Sequence, residues 1–280
     1  MHDYIIRSFA PEDKPALKAL WQTVFGDSEA YIDGFFDRFL TPGGCMVAEA
    51  DGKIVSAMYI IPGMTAYPYR RNTLSAGYTY ALATLPEYRR RGIGTAVYKA
   101  ASDAVLNGAD AACVLPAESG LYPFYESASG AKAFSAVREA RFQKSELADI
   151  SPCMASRVPA LKYAGMREML LGGMPHVTFP AEIFDLMEES GTDFFVLADG
   201  LAAAETQDGV CRVTELLVPG GDGMAAIAAV AHWCPAEEYI VRSPVFFGCP
   251  GEVRPLVLAV LKQTPGYPMP DDLWWGFGLE

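Results

Sequence analysis

Leu82-Ala83-Thr84-Leu85-Pro86-Glu87-Tyr88-Arg89-Arg90-Arg91-Gly92-Ile93-Gly94-Thr95 is the stretch that decides how this 280-residue chain folds. The run Leu74–Leu85 predicts a strand that ends at Pro86, a residue with no N–H to give to a ladder. Gly92–Asn107 reads as a helix, with Gly108 as its stop. Between strand and helix stand three arginines and two closely spaced glycines. A phosphate approaches a backbone closely only where Cβ atoms are missing and N–H groups are unspent. Gly92 and Gly94 meet the first condition. The first turn of a helix meets the second, and its dipole adds positive potential. Arg89, Arg90 and Arg91 bring charge for phosphate oxygens. Together these features predict a cradle for a diphosphate. The GxxxxGK[ST] loop is absent, and Ala96-Val97 stand where a GxGxxG pattern would finish.

Towards the N-terminus, Tyr4–Phe9 predicts a strand, and Pro11-Glu12-Asp13 opens a helix running to about Phe25. Leu17, Leu20, Trp21 and Val24 recur on it at helical spacing. Gly26-Asp27-Ser28 breaks that helix, and a second one carries Tyr31, Ile32, Phe35, Phe36 and Phe39 on one side. Cys45–Ala50 and Lys53–Ile61 flank Asp51-Gly52, a hairpin signal. Towards the C-terminus come a strand at Ala111–Leu115 closed by Pro116, a helix from Leu121–Ser127 and a strand at Ala133–Phe142.

Residues 145–180 contain Pro152, Pro159, Pro175 and Pro180 around one helical stretch, Leu161–Leu171, and predict a connector packed against the first domain. Beyond it, Phe194–Asp199 and Leu201–Thr206 form a second hairpin about Asp199-Gly200. Then come a strand at Val210–Val218, a helix at Gly223–Cys234, a strand at Tyr239–Val245, a helix at Glu252–Gln263 and an aromatic tail of Trp274, Trp275 and Phe277. This β-β-β-α-β order echoes residues 45–115, without sequence identity between the halves. The expected fold class is α/β (α+β), with one domain over residues 1–145 and a second, smaller α/β domain over 146–280.

Composition narrows the function. With 51% hydrophobic and 20% charged residues the chain can bury a full core. Six cysteines without a CxxC pair, and only three histidines, predict reduced buried thiols and no metal. Residues 1–180 hold 18 Lys+Arg against 18 Asp+Glu, while residues 181–280 hold 4 against 16, so the whole net charge of −12 sits in the last hundred. That surface repels nucleic acid and attracts cationic ligands, or is simply well solvated. No apolar stretch reaches the roughly 20 residues that span a bilayer. Met1-His2-Asp3 lacks the basic-then-apolar layout of a secretion signal. The expectation is a cytoplasmic protein with no membrane partner.

Residues Leu82–Gly94 resemble the acetyl-CoA motif of the GNAT superfamily of N-acetyltransferases, whose core is Arg/Gln-x-x-Gly-x-Gly/Ala; Arg89, Gly92 and Gly94 match it. Tyr122-Pro123-Phe124-Tyr125-Glu126-Ser127-Ala128-Ser129-Gly130-Ala131 is similar to that family's "FYeklGF" segment, with a spacer one residue longer and Ala131 in place of an aromatic. The resemblance covers residues 1–142, and the second half resembles a degenerate partner in a tandem GNAT protein. Pro116–Tyr122 is also similar to the enhanced-intracellular-survival type of tandem GNAT, without that type's C-terminal sterol-carrier-like domain.

The resemblance implies a mixed central sheet of GNAT type and acetyl transfer from acetyl-CoA, as co-substrate, to a primary amine by direct attack in a ternary complex. It implies that the backbone of Leu82, Ala83 and Thr84 pairs with the pantetheine arm, that the amide near Thr84 polarises the thioester carbonyl, and that amides from Arg90 through Gly92, Ile93 and Gly94 to Thr95 hold the diphosphate. Tyr125 would protonate the departing thiolate, with Tyr122, one helical turn earlier, as the alternative acid and Tyr125 then a core aromatic. Glu118 is a candidate base for the amine, and the C-terminal Glu280 a second. Trp274 and Trp275 either wall a substrate pocket or close the second domain's core. A small, cationic amine is the expected partner, and a homodimer is compatible with the reading. The competing function is a non-catalytic acyl-CoA-binding or assembly module.

Overall fold

A computed structural model describes residues 4–69, 72–276 and 278–279. In chain order it runs β1 (Tyr4–Ser8), α1 (Lys14–Phe25), α2 (Glu29–Phe39), β2 (Cys45–Ala50), β3 (Lys53–Tyr69), β4 (Asn72–Thr84), α3 (Ile93–Gly108), β5 (Ala111–Val114), α4 (Tyr122–Ser129) and β6 (Lys132–Ala133). There follow β7 (Ala136–Gln143), α5 (Lys144–Leu147), β8 (Ala155–Arg157), α6 (Ala160–Leu171), β9 (His176–Thr178), α7 (Ala181–Glu189), β10 (Asp193–Leu197), β11 (Gly200–Gln207) and β12 (Val210–Leu217). The chain closes with α8 (Gly223–Trp233), β13 (Glu238–Ser243), β14 (Glu252–Pro255) and β15 (Leu258–Leu261). These elements make a mixed α/β protein of two compact units. The first comprises Met1–Thr65, Leu74–Lys132 and Leu258–Gly266, and the second Ala66–Thr73, Ala133–Val257 and Tyr267–Glu280.

In the first unit the sheet order is β1-β2-β3-β4-β5-β15-β6. Asp51 and Gly52 both take positive φ, 52° and 71°, the conformation a two-residue hairpin needs, and so join β2 to β3 as the sequence predicts. Helices α1 and α2 bury Leu17, Leu20, Trp21, Ile32, Phe35, Phe36 and Phe39. Trp21 and Phe35 meet Tyr59 of β3 at ring-centroid distances of 4.8 and 5.5 Å. Helix α3 buries Ile93, Val97, Tyr98, Ala101 and Val105. Gly77 of β4 seats it, because a Cβ there would stand 2.7 Å from Val105 Cγ1. The helix that follows the arginine–glycine turn is therefore held directly over the strand that precedes it.

In the second unit the sheet order is β14-β7-β13-β12-β11-β10-β8. Within this unit Tyr67 stacks on His176 at 5.2 Å and 13°. At its centre Arg167 and Glu215, both fully buried, pair at 3.0 Å. Glu215 also accepts from Tyr163 Oη and Trp274 Nε1, each at 2.7 Å. A buried ion pair is tolerable only with its remaining hydrogen bonds made, as they are here. Trp275 packs edge-on to Phe179 at 5.4 Å. Of the two expectations for Trp274 and Trp275, the core role is the one observed.

Two expectations need correction. The helix expected over Glu252–Gln263 is the strands β14 and β15. Pro255 interrupts the helical run, and Leu258–Leu261 lies antiparallel against Ala111–Val114, satisfying the far edge of β5. The division after residue 145 also shifts: β7 hydrogen-bonds to β13 and β14, so the second unit begins at Ala133, and Leu258–Gly266 return to the first. Residues 145–180, expected to open the second domain as a connector, do lie in the second unit, where α6 supplies Tyr163 and Arg167 to the buried network. No described helix is long and apolar enough to cross a membrane.

Candidate active site

Strand β4 pairs in parallel with β5 over Ala76–Tyr78. Thr79 Oγ1 then donates to the Cys113 carbonyl at 2.9 Å, and Ala81 takes φ 52°, a conformation uncommon for a residue with a side chain. The register with β5 does not continue past Tyr78, so Leu82, Ala83 and Thr84 follow a kink on a strand edge that β5 has left. Ser56, buried on β3, steadies that edge by donating to the Ala83 carbonyl at 2.6 Å and lying 2.8 Å from Thr84 Oγ1. Nothing in the sequence flagged Ser56 or Ala81: a serine and an alanine inside apolar strands carry no pattern of their own.

Beyond Thr84 the chain makes a short 3-10 turn at Pro86–Tyr88 and reaches Gly92, which takes φ 78° and caps α3. No side chain caps that helix. The Ala96 amide bonds to the Gly92 carbonyl, but the amides from Arg90 to Thr95 meet no acceptor among the described residues. A Cβ on Gly92 would meet no atom within 4 Å, whereas one on Gly94 would stand 3.3 Å from Thr84 Oγ1. Gly92 thus faces open space, and Gly94 lets the helix start close against the end of β4. A set of bare amides at a helix start, without Cβ atoms in the way, fits a diphosphate.

The three arginines divide their work. Arg89 Nε donates to the Thr84 carbonyl at 3.0 Å, and Arg91 Nη2 to the Glu87 carbonyl at 2.6 Å while its guanidinium lies over the Tyr88 ring. Both brace the turn. Arg90, exposed at φ 60°, makes no hydrogen bond among the described residues, and its charge is available to a ligand.

Helix α4 carries both candidate acids. Tyr122, half-buried, opens the helix. Tyr125 is only 7% exposed, its ring set edge-on to Tyr98 of α3 at 4.9 Å, and burial pushes its phenol up to about 12. Glu118 stands exposed in the loop between β5 and α4, its carbonyl accepting from the Leu121 amide at 3.0 Å. Glu280 lies outside the described residues, as does Phe277. Cys45 and Cys113 are fully buried, and burial holds both thiols well above the usual range, so neither offers a thiolate. No group of three His, Cys, Asp or Glu that could hold a metal occurs among the described residues.

The sequence pattern of the acetyltransferase (GNAT) domain matches residues 5–128. Among curated proteins none matches the chain. Among solved structures, a GCN5-related N-acetyltransferase from Kribbella flavida is similar over 93% of this chain and 72% of its own, with a TM-score of 0.66 at 15% identity. A putative acetyltransferase from Pyrococcus horikoshii is similar over 99% of this chain and 95% of its own, with a TM-score of 0.59 at 15% identity. A tandem GNAT protein from the clavulanic acid biosynthesis pathway is similar over 94% of this chain and 100% of its own, with a TM-score of 0.56 at 13% identity. At such identities the likeness is one of fold.

Proposed function

We propose that the protein is a tandem GNAT enzyme that moves an acetyl group from acetyl-CoA to a primary amine, a reading supported by the match of residues 5–128 to the acetyltransferase (GNAT) domain pattern. The observation that carries this reading is the turn before α3, where amides from Arg90 to Thr95 are unspent around an open Gly92. Those amides, with Arg90, would hold the diphosphate. The strand edge of Leu82, Ala83 and Thr84 past the last β4–β5 pair would receive the pantetheine arm as another strand does. Acetyl-CoA held there brings a thioester whose acyl carbon is open to an uncharged amine.

In the transfer the amine nitrogen bonds to the acyl carbon, the C–S bond breaks, the nitrogen loses a proton and the sulfur gains one. Tyr122 gives the sulfur its proton. It is preferred to Tyr125 because it is half-buried at the start of α4, whereas Tyr125 is packed into the core with a phenol too weakly acidic to donate readily. Glu118, exposed just before α4, takes the proton from the amine directly or through water. The buried Cys113 thiol supports direct attack over an acyl-enzyme. The charge of −12 over residues 181–280 favours a cationic acceptor.

Thiol release from acetyl-CoA with a panel of primary amines tests the reading. Wild type is expected to turn over at least one cationic amine, with kcat lowered about 100-fold in Tyr122→Phe and little changed in Tyr125→Phe. Tight CoA binding without turnover on any amine would establish the binding module instead. Wild-type kcat in Tyr122→Phe would assign the acid elsewhere.

A further inference from the structure

Helix α4 has eight residues, too few to hold its place by helix propensity alone. Its position comes from α3. Tyr98, fully buried and one turn beyond Gly94, lays its ring edge-on against Tyr125 at 77°. Its hydroxyl accepts from Ser129 Oγ at 3.1 Å, and the same Ser129 hydroxyl lies 3.2 Å from the Tyr125 carbonyl. Tyr125 and Ser129 stand four residues apart, so both face α3, and Tyr122 is one turn earlier on that side. Ser102, one turn further along α3, is buried, and its hydroxyl has no hydrogen-bond partner among the described residues.

We infer that Tyr98 and Ser129 form a clamp that fixes α4 against α3, making Tyr98 a positioning residue that aims Tyr122 at the end of the helix whose first turn grips the coenzyme. The inference rests on Tyr122 as the acid. A rigid helix links the two tasks: the same α3 that presents amides at Gly92–Thr95 also sets the acid's helix through Tyr98. Small displacements of a proton donor cost rate without costing coenzyme affinity.

Tyr98→Phe keeps the ring contact and removes the acceptor hydroxyl, and Ser129→Ala removes the donor. In either variant, amide hydrogen exchange over Tyr122–Ser129 should quicken about tenfold while that of Ala96–Ala101 stays as in wild type. The kcat should fall about 5- to 10-fold with the KM for acetyl-CoA within about twofold, and the double variant should be no worse than either single one. In a Tyr122→Phe background, Tyr98→Phe should leave the residual rate unchanged. Unchanged exchange over α4 in Tyr98→Phe overturns the clamp. An equal slowing of the residual rate in the Tyr122→Phe background overturns the positioning role, because Tyr98 would then act other than through Tyr122. Wild-type kcat in Tyr122→Phe alone removes the acid reading, and with it the aiming role, while the exchange over α4 still decides whether the clamp exists.

Discussion

The two units share one local plan and bring it to opposite ends. In each, a strand passes through a glycine-bearing turn into a helix and on to a parallel neighbour: β4–α3–β5 in the first, β12–α8–β13 in the second. Gly92 caps α3 with no side chain, and the amides around it are bare. Asp222 caps α8, and its carboxylate accepts from the amides of Met224 at 2.9 Å and Ala225 at 3.2 Å. The second turn already contains an anion, its own. It is also crowded: a Cβ on Gly221 would stand 2.8 Å from Val218 Cγ1 and 2.9 Å from Asp199 Cβ, while one on Gly92 would meet nothing within 4 Å. Three arginines precede Gly92, but no Lys or Arg lies between Arg212 and Asp222. A fold that supplies a helix N-terminus in both places leaves the capping residue to decide which stays open and which becomes a self-satisfied corner.

The largest expected effect comes from giving the first turn the second turn's anion. Gly92→Asp should weaken acetyl-CoA binding by at least about 100-fold in calorimetry, or about 2.7 kcal/mol. Aspartate and asparagine both tolerate positive φ, so Gly92→Asn, neutral and of the same shape, should lose less than about tenfold. Equal losses in the two variants would show that shape, not charge, governs the turn. A smaller effect is expected at the other turn. Asp222→Ala should lower stability by about 1 kcal/mol through loss of the cap, read by chemical denaturation, without creating a second coenzyme site. A second equivalent of CoA bound by that variant would mean that Asp222 alone had closed the turn, and that the crowding at Gly221 is immaterial.

The contrast also explains what the sequence could show. The first turn was legible because its requirements are local: missing Cβ atoms, a helix start and a charge run all lie within ten residues. The hairpins at Asp51-Gly52 and Asp199-Gly200 were legible for the same reason. What escaped depends on partners far along the chain. Leu258–Leu261 reads as helix until β5 is known to offer it an edge. Residues 145–180 read as a connector until Arg167 is seen to meet Glu215. Ser56, Tyr98 and Ser129 are ordinary residues made particular by contacts 27 to 31 positions away. The two similarities around residues 116–131 pointed one to Tyr125 and the other to Tyr122, and the difference in their burial depends on packing against α3 that the sequence does not display.

The open turn at Gly92 can be read residue by residue by titrating CoA into isotope-labelled protein while following the backbone amide resonances. Saturation is expected at one equivalent, with the amides of Gly92, Ile93, Gly94 and Thr95 moving most and those of Met224 and Ala225 staying in place. Saturation that leaves the Gly92–Thr95 amides unmoved, or that moves both sets alike, would contradict that expectation.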